Sequence, residues 1–481
     1  MSEAPSGWSR LPLEQLVTFS IGGLWGTAPD LAGSDSSTVA VMRGADYRDW
    51  AIERAANAAV RSVSAKAVTT RLVRDGDLVV EVSGGGPTQP VGRVVLVDDA
   101  TLRSTDLPLI VSNFCRRAVL TDHVVAAFVY YQLVHKYLRG DTERFQTATT
   151  NIRNLNFGKY LVETEINLAP RREQERIVAA IEEQFSRLDA GVAALERVQK
   201  NLKRMKSALL REAVSGRLHA GDEVASDQEG LPTGWVWRPL SEIIHSLRNG
   251  IFVSRPGLEP TGVPIFRISA VRPMALNVAD VRYVPKAARL KRIEEYFVEP
   301  GDLLFTRYSG NPEFVGGCAM VPDGVRQTLH PDKLIRVQVD KNLVEPRFVE
   351  LAAAAGATRQ MIRSRVKTTA GQTGISGSDL RSVLFPVPPL EVQRRIIGEV
   401  EDVLLGIERA DVIAAAAESH SDRLRSAILT SAFSGSLVHQ DPADEPASAL
   451  VERITTQPIS FDGRTQSRMR RARTPQTRTT T

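Results

Sequence analysis

The chain has 481 residues, 42% of them hydrophobic, which is enough for two or three domains with apolar cores. Its two cysteines, Cys115 and Cys318, exclude a disulfide framework and favour the cytoplasm. No signal peptide is recognisable, and no apolar run approaches the roughly 20 residues needed to span a membrane. The net charge of +5 is compatible with a polyanionic partner, although part of the excess lies in residues 463–481.

The first 165 residues have the pattern of a mixed α/β domain. Short segments rich in Val, Ile and Leu predict strands at 39–43, 77–82, 92–97 and 109–114, and a helix is predicted over 124–139. Residues 166–219 then predict one long helix, which begins near Pro170 and ends at Ser215-Gly216, a typical helix stop. At 1.5 Å per residue, a helix of forty-odd residues is roughly 60 Å long.

Residues 220–233 are predicted to be a linker, and a second mixed domain follows over 234–386. Its predicted strands are 264–268, 302–307, 316–321 and 334–339, and its predicted helix is 348–365. A second long helix is predicted over 387–439. Residues 440–481 are expected to be a disordered basic tail, because 463–481 contain six arginines and no acidic residue.

The two halves are copies of one pattern. Gly7-Trp8 recurs as Gly234-Trp235 at an offset of 227, and Gly76-Asp77-Leu78 recurs as Gly301-Asp302-Leu303 at 225. Along the two long helices the offset is 219, without a gap over about fifty residues. An offset that drifts slowly in one direction indicates an internal duplication of a domain plus a long helix, and the period is too long for a solenoid.

Both long helices have an apolar residue at alternating steps of three and four. This spacing is a heptad pattern and predicts a seam at which helices pack. The predicted seam residues are Ile177, Ile181, Leu188, Leu195, Leu202, Leu209, Ile396, Val400, Val403, Ile407, Leu424 and Ile428. A rigid helical spacer would fix the distance between the two mixed domains, and the same seam would also simply hide apolar surface from water.

Several motifs have counterparts in the same order in both halves, although the first half has only Pro5-Ser6-Gly7-Trp8 at its entry and only Thr150-Asn151-Ile152 in place of the Thr-Gly-Ile-Ser segment. They are the Leu-Pro-Thr-Gly-Trp segment 231–235, the Gly-Asp-Leu strand starts at Gly76 and Gly301, the Thr-Gly-Ile-Ser segment 373–376, the Pro-Pro-Leu-Glu-Val-Gln-Arg-Arg-Ile segment 388–396, and the helix end 206–216 with its second copy. In these motifs and in their duplication, nearly the whole chain resembles the specificity subunits of type I restriction–modification systems.

The resemblance implies an α+β fold with two mixed α/β target-recognition domains, each followed by a long helix, and with the two helices packed as an antiparallel coiled coil. It implies a noncatalytic subunit that binds double-stranded DNA and reads a bipartite asymmetric target. It also implies two methyltransferase subunits and restriction (translocase) subunits as partners. S-adenosylmethionine, ATP and Mg²⁺ would then be bound by those partners, and we expect no cofactor and no metal on this chain.

Candidate DNA contacts are polar and basic residues of the mixed domains, because Arg can bond guanine, Asn or Gln adenine, and Asp cytosine. In the first domain they are Arg43, Asp46, Ser83 and Gln89, and in the second Arg267, Ser269, Arg307, Ser309, Asn311, Lys367 and Gln372. Arg43 and Arg267 occupy matching positions, which favours a shared structural or phosphate-binding role over base reading. For each single residue a surface or structural role is the simpler interpretation.

Two other functions remain open at this point. Asn311-Pro312-Glu313-Phe314 is similar to the Asn-Pro-Pro-aromatic motif of amino-methyltransferases, but it lacks the second proline, and no Gly-rich cofactor loop accompanies it. We therefore favour a hairpin loop over an atypical DNA adenine methyltransferase. The other alternative is a coiled-coil scaffold that tethers partners without reading sequence, although a tether would need only the helices.

Overall fold

The computed structural model describes residues 5–31, 35–48, 50–86, 89–149, 152–219, 231–285, 292–325, 327–369, 372–456 and 460–461. The chain divides into two compact units. The N-terminal unit comprises Met1–Ala193 and Glu418–Thr481, and the C-terminal unit comprises Ala194–Ala417. Each unit therefore contains one mixed domain together with one half of each long helix.

The N-terminal mixed domain contains twelve strands among the described residues. They are β1 (Ser9–Pro12), β2 (Val17–Gly22), β3 (Ser36–Met42), β4 (Ala59–Ser64), β5 (Leu78–Glu81), β6 (Ser83–Gly84), β7 (Val94–Leu96), β8 (Leu109–Val111), β9 (Cys115–Leu120), β10 (Gln146–Thr149), β11 (Ile152–Leu155) and β12 (Glu165–Leu168). The helices are α1 (Leu13–Leu16), α2 (Trp50–Glu53), α3 (Ala65–Arg71), α4 (Asp99–Arg103), α5 (Ala126–Leu138), α6 (Phe157–Glu163) and the long α7 (Arg171–Val214).

The C-terminal mixed domain follows the same plan. Its strands are β13 (Val236–Pro239), β14 (Ile244–Asn249), β15 (Val263–Phe266), β16 (Val271–Arg272), β17 (Ala275–Leu276), β18 (Val281–Val284), β19 (Leu303–Thr306), β20 (Tyr308–Ser309), β21 (Cys318–Met320), β22 (Leu334–Val339), β23 (Lys367–Thr369), β24 (Gln372–Gly374) and β25 (Leu384–Val387). Its helices are α8 (Pro346–Ala354), α9 (Gly356–Ser364), α10 (Gly377–Arg381) and the long α11 (Leu390–Phe433).

A central antiparallel sheet is common to both units. Its strand order is β2-β9-β5-β7 in the N-terminal unit and β14-β22-β19-β21 in the C-terminal unit. An irregularity in strand pairing is also repeated. The register shifts between Val17 and Phe19 in β2 and, 227 residues later, between Ile244 and Ser246 in β14. Side chains alternate between the two faces of each strand, so one face packs against the helices and the other against a further layer of strands.

The two long helices pack antiparallel within each unit. In the N-terminal unit the start of α7, with Ile177 and Ile181, packs against the end of α11, with Leu429 and Phe433. In the C-terminal unit the end of α7, with Leu210, Ala213 and Val214, shares a core with Ile396, Val400 and Leu404 near the start of α11. This arrangement is that of an antiparallel coiled coil.

Both helix ends follow the predicted signals. Gly216 and Gly435 have φ values of +74° and +75°, which glycine adopts without strain. A Cβ on Gly216 would lie 2.3 Å from Pro232, and one on Gly435 would lie 2.6 Å from Pro5. Each long helix therefore ends against the entry segment of a mixed domain, α7 against the domain that follows it and α11 against the first domain.

Burial along the helices differs from the predicted seam at one position. Ile177, Ile181, Ile396 and Val400 are fully buried. Leu188, Leu195, Leu202, Leu209, Val403 and Ile428 are partly buried, and Ile407 is buried. Leu424, however, is 38% exposed, whereas Ser421 and Leu429 are buried. A straight helix has 3.6 residues per turn, so the buried stripe drifts away from a strict seven-residue repeat and passes Leu424.

Three further expectations were wrong. The predicted helix 348–365 is broken into α8 and α9, because Ala355 is extended and Gly356 has a φ of +63°. The predicted counterpart of strand 334–339 was 109–114, but the true counterpart is β9. The pairing of β9 with β5 has the same register as the pairing of β22 (Leu334–Val339) with β19. A strand at 115–120 was not predicted.

The segment after α11 differs from the expectation where the structure describes it. Residues 440–456 were predicted to be disordered, but they fold against the N-terminal unit through α12 (Ala447–Thr455), in which Ala447, Leu450 and Ile454 are buried. A short strand, β26 (Ser460–Phe461), pairs with β2. Residues 463–481 lie outside the described residues, as do residues 220–230 of the predicted linker; Leu231, at its end, is buried in the C-terminal unit.

Candidate nucleic-acid interface

A small three-stranded sheet stands at the same place in each unit. Its order is β6-β11-β10 in the N-terminal unit and β20-β24-β23 in the C-terminal unit. In the first, Ser83 pairs with Asn154, and in the second Tyr308 pairs with Gly374. Both sheets lead into a short helix whose first residue is capped by a side chain, Asn156 at α6 and Ser376 at α10.

Beside each small sheet lies an open cleft. The N-terminal cleft has a volume of about 440 Å³ and is lined by Val82, Ser83, Asn113, Phe114, Arg116, Thr147, Asn154, Leu155, Asn156 and Phe157. The C-terminal cleft has a volume of about 650 Å³ and is lined by Arg307, Tyr308, Asp332, Lys333, Lys367, Gly374, Ile375, Ser376, Ser378 and Asp379.

Strand register places eight lining positions of one cleft on eight of the other. The matched pairs are Val82 and Arg307, Ser83 and Tyr308, Asn113 and Asp332, Phe114 and Lys333, Thr147 and Lys367, Asn154 and Gly374, Leu155 and Ile375, and Asn156 and Ser376. A pair of matched glycines supports this alignment. A Cβ on Gly23 would lie 2.1 Å from the backbone oxygen of Ser112, and a Cβ on Gly250 would lie 2.1 Å from the backbone oxygen of Pro331. The clefts thus share a backbone and differ in side chains.

The C-terminal cleft is rich in charge. The Arg307 guanidinium and the Lys333 ammonium lie 4.8 Å and 5.1 Å from the centre of the Tyr308 ring, a cation–π arrangement. Lys367 lies 3.1 Å from Asp379 and is largely exposed. The hydroxyl of Ser376, together with Lys367, lowers the pKa of Asp379, so this carboxylate is ionised at neutral pH.

The N-terminal cleft is polar but almost uncharged. The hydroxyl of Ser83 donates to Asn154 Oδ1 at 2.7 Å. Asn113, Phe114 and Thr147 are exposed at its rim. Among the described residues of the lining, Arg116 is the one that is charged, and its guanidinium lies 5.0 Å from the centre of the Phe157 ring. Amide and hydroxyl groups of this kind bond base edges, whereas a cluster of cations also attracts phosphates.

The predicted DNA contacts divide into two groups. Ser83, Arg307 and Lys367 line the clefts, and Ser309 lies on the same small sheet, paired with Thr373. Gln372 lies on β24, where its backbone pairs with Thr369; its side chain is outside the described part of the structure.

The other candidates form local structure away from the cleft lining. The Arg43 guanidinium lies 2.7 Å from Asp46 Oδ1 and stabilises a 3₁₀ turn, and the hydrogen bond to Asp46 raises the pKa of Arg43. Arg267 and Ser269 both donate to Asp280. Gln89 closes a tight turn with Gly86, and Asn311 caps the 3₁₀ turn Pro312–Phe314. For Asn311 the loop interpretation accounts for the geometry.

Sequence reasoning missed the residues that complete the clefts. They are Asn113, Phe114, Arg116, Thr147, Asn154 and Asn156 in the N-terminal unit, and Tyr308, Asp332, Lys333, Ser376, Ser378 and Asp379 in the C-terminal unit. The offset of 219 seen along the long helices also aligns 113–120 with 332–339. Applying it there would have found Asn113, Phe114, Asp332 and Lys333.

Other site classes have no support among the described residues. No group of three or more His, Cys, Asp or Glu side chains in this part of the chain is placed to hold a metal ion. Cys115 and Cys318 are buried, and burial raises the pKa of Cys115 to about 11, which makes the thiol unreactive. None of the helices in the described ranges is both long enough and apolar enough to cross a membrane.

Comparison with known proteins assigns the family. No protein-family model matches the chain. The specificity subunit of the type I restriction enzyme EcoKI of Escherichia coli K12 is 32% identical over 333 residues, which cover 67% of this chain and 70% of that protein. The specificity subunit of StySPI from Salmonella potsdam is 26% identical over 330 residues, which cover 67% and 70% of the two chains.

A solved structure shows the same fold. One chain of a structure on complex assembly and conformational transition of a type I restriction–modification system has a TM-score of 0.67 at 18% identity, covering 91% of this chain and all of that one. The internal duplication, the paired long helices and the sequence similarity agree, and the protein belongs to the specificity subunits of type I restriction enzymes, a noncatalytic family.

Proposed function

We propose that this subunit reads a bipartite asymmetric DNA target, with one half of the target in each cleft. The observation that supports this most directly is the pair of register-matched clefts. A duplication that kept the backbone provides two docking sites of one geometry, and different side chains at the eight matched positions give the two sites different preferences.

The chemistry of each cleft suits a different kind of contact. Arg307, Lys333 and Lys367 in the C-terminal cleft offer guanidinium and ammonium donors to guanine edges and phosphates. Asn113, Asn154 and Thr147 line the N-terminal cleft. An asparagine amide can bond to the edge of adenine, and a threonine hydroxyl can bond to donors or acceptors of any base. We therefore expect two half-sites of different composition.

The long helices would act as the spacer between the half-sites. A base pattern recurs on one face of a duplex every helical turn, roughly 34–36 Å, so two readers on that face need a fixed separation. A helix of 44 residues, the length of α7 and of α11, is about 66 Å long and far stiffer than a linker. Changing the helix length should change the unread gap.

Catalysis would then belong to partner subunits. We propose two methyltransferase subunits, with S-adenosylmethionine, and restriction subunits that use ATP and Mg²⁺ when DNA is cut. The helices of the C-terminal unit carry apolar side chains that face solvent, among them Val412 and Ile413, which are 69% and 68% exposed. Exposed apolar residues grouped in this way are typical of a surface that another protein covers.

A map of methylated adenines across the host genome tests the proposal. The host strain is compared with a strain that lacks this gene and with one that carries it again on a plasmid. We expect the deletion to remove methylation at one motif, two short halves around a fixed gap, and the plasmid to restore it. Identical maps in all three strains would contradict the proposed reading and favour a scaffold.

A further inference from the structure

The exposed aromatic side chains of this protein share one kind of location. In the part of the chain whose side chains the structure describes, Phe114 and Phe252 are the only Phe, Tyr or Trp residues that are exposed, at 48% and 72%. Phe114 belongs to the lining of the N-terminal cleft. Phe252 follows Ile251, whose carbonyl accepts from the backbone N–H of Asp332 at 3.0 Å, and Asp332 lines the C-terminal cleft. Each unit therefore has one exposed phenylalanine at its cleft.

The chain on both sides of Phe252 is held in place. Ile251 and Val253 pack with Leu329 in a small apolar cluster, whereas Phe252 between them faces solvent. The backbone N–H of Ile251 also donates to the His330 carbonyl at 3.0 Å. The ring is thus presented on an anchored backbone and has only two side-chain torsions to fix, so contact with a partner costs little conformational entropy.

Phe114 is anchored in a comparable way. Its carbonyl accepts from the backbone N–H groups of Val82 and Ser83, at 2.8 Å and 3.1 Å, and Ser83 belongs to the small three-stranded sheet of the N-terminal unit. Cys115, the next residue, is fully buried and begins β9. The exposed ring therefore lies on a fixed part of the chain, among the polar residues of the cleft lining.

The two phenylalanines do not occupy matched positions. The counterpart of Phe114 is Lys333, and the counterpart of Phe252, at the offset of 227, is Trp25. Trp25 is partly buried, and the guanidinium of Arg61 lies 4.2 Å from the centre of its ring. The two units thus present an exposed ring at the cleft from different parts of the chain. This indicates a role at the clefts rather than a structural requirement that the two copies of the fold share.

An exposed ring beside a polar cleft needs an apolar partner. The edges of base pairs in the major groove carry hydrogen-bond donors and acceptors, and the 5-methyl group of thymine is the apolar group among them. The face of a base could also stack on a phenylalanine, but a base step must first be opened, at a cost in free energy that contact with the methyl group avoids. A thymine methyl group is therefore the partner on duplex DNA that fits these two side chains.

We propose that Phe114 and Phe252 are specificity-determining residues, each of which packs against the 5-methyl group of a thymine in the half-site that its own unit reads. This inference rests on the proposed function, and it adds an A·T pair to the target of each cleft. The polar groups of the linings then select bases by hydrogen bonding, and the rings select the base that carries a methyl group.

Deoxyuridine differs from thymidine only in lacking the 5-methyl group, so it tests the contact directly. The affinity of the full chain is measured for its methylation-mapped target and for duplexes in which each thymine in turn is replaced by deoxyuridine. At one thymine in each half-site, we expect loss of the methyl group to weaken binding by the wild type about fourfold, the value for one buried methyl group. Phe114→Ala should abolish this effect in one half-site and Phe252→Ala in the other.

Two controls separate the contact from general effects of substitution. Phe252→Leu keeps an apolar side chain and should retain most of the methyl effect. Leu258→Ala removes a side chain that is 77% exposed on the same loop, but Leu258 follows the pairing of Gly257 with Tyr283, and neither residue of that pair lines the cleft. This variant should leave every methyl effect unchanged. Because these side chains are exposed, unfolding by denaturant should give similar stabilities for all of the variants.

The outcomes also separate this inference from the proposed function. A wild-type chain that binds its target and an unrelated duplex equally would overturn both. A chain that prefers its target, but whose response to deoxyuridine is the same in the wild type, Phe114→Ala and Phe252→Ala, would overturn the inference alone. A rise in the fluorescence of 2-aminopurine beside the thymine, without a methyl effect, would show stacking on an opened base step and would also overturn it. Loss of the methyl effect at different half-sites in the two alanine variants would support it.

Discussion

The two units share the central sheet, the small three-stranded sheet and the attachment of the long helices, and they differ in the side chains that line the clefts. In the cores beside the long helices, matched positions are often identical. Trp8 and Phe128 pack edge to face with ring centres 6.0 Å apart, and Trp235 and Phe348 do the same at 6.0 Å. Gln174 and Gln393, both fully buried, each accept from a backbone N–H, of Val125 or Glu345, and donate to carbonyls at the start of a long helix.

In the cleft linings, the same alignment shows different residues at every matched position. None of the eight matched lining positions has the same residue in both units. Identity is retained where a side chain fixes the attachment of the helices, and it is lost where a side chain lines a cleft. The contrast is the one expected if a common scaffold carries two separately adjustable reading surfaces, as proposed, and it can be tested at four places.

The largest effect is expected at a buried ion pair that the units share in position but not in geometry. Asp77 lies 2.5 Å from the Arg117 guanidinium, with both side chains buried. Asp302 lies 3.7 Å from Arg336 and also accepts from Gln338. Asp77→Ala leaves a buried cation unpaired and should cost about 3–5 kcal/mol of unfolding free energy. Asp302→Ala should cost less, because Arg336 keeps a hydrogen bond to the Phe297 carbonyl.

Hydrogen exchange followed by mass spectrometry can measure both variants unit by unit. Protection should fall mainly in the unit that carries the substitution. Equal losses for Asp77→Ala and Asp302→Ala would show that the difference in geometry has no energetic consequence.

One cross-strand pair of each small sheet combines a larger side chain with a smaller one, and the larger side chain is on opposite strands in the two units. Gly374 lies against the Tyr308 ring, where a Cβ would be 2.3 Å from Cδ1, and the matched pair in the N-terminal unit is Asn154 with Ser83. Ser83→Tyr alone should be overpacked against Asn154 and cost about 1–3 kcal/mol. Adding Asn154→Gly should recover most of that loss. A double-mutant cycle from denaturant unfolding measures the coupling, and additive losses would argue against the alignment.

Substitution in one cleft should affect one half-site only. Arg307→Ala removes a guanidinium from the C-terminal cleft and should weaken base discrimination there by about 1–3 kcal/mol. Binding to a panel of duplexes that vary one half-site at a time measures this effect. Ser83→Ala, at a polar residue of the other lining, makes the same test for the N-terminal cleft. Relaxation of both half-sites by Arg307→Ala would contradict separate reading surfaces.

Sequence alone predicted the features that repeat. Hydrophobic spacing and the positions of glycines predict local structure. They were sufficient to predict the duplication, the strand cores and the two long helices with their Ser-Gly stops. The clefts are different, because Phe114 and Lys333 reach the cleft linings through the pairing of β9 with β5 and of β22 with β19, strands that are far apart in the sequence. Neither residue type nor local spacing reveals that relation.

Three of the predicted DNA contacts lie outside the clefts for a related reason. Arg43, Arg267 and Asn311 were chosen for their hydrogen-bonding groups, and each uses those groups on a nearby partner, Asp46, Asp280 or the Glu313 backbone. A polar side chain that already stabilises a turn has the same appearance in a sequence as one that faces DNA. The partner becomes visible only in the folded chain.

The smallest effect concerns pH and a fully buried histidine of the C-terminal unit, at a position where the N-terminal unit has no histidine. His330 is fully buried, and its Nδ1 lies 2.8 Å from the Tyr296 carbonyl, so Nδ1 carries the proton of the neutral ring. Burial, with Arg336 and Arg248 nearby, lowers the pKa of His330 to about 4. The matched position in the N-terminal unit is Val111, as the alignment of Gly23 with Gly250 shows.

The sign of the pH dependence follows from that lowered pKa. In the unfolded chain the histidine takes up a proton as the pH falls through about 6.5, while the folded chain stays neutral down to about 4. Stability of the C-terminal unit is therefore present above pH 6.5 and is lost as the pH falls toward 4, by about 1 kcal/mol between pH 7 and pH 5.5. Unit-resolved hydrogen exchange at these two values should show the loss in the C-terminal unit of the wild type. His330→Val, which copies the N-terminal unit, should remove it; a variant with the same pH dependence would place the titrating group elsewhere.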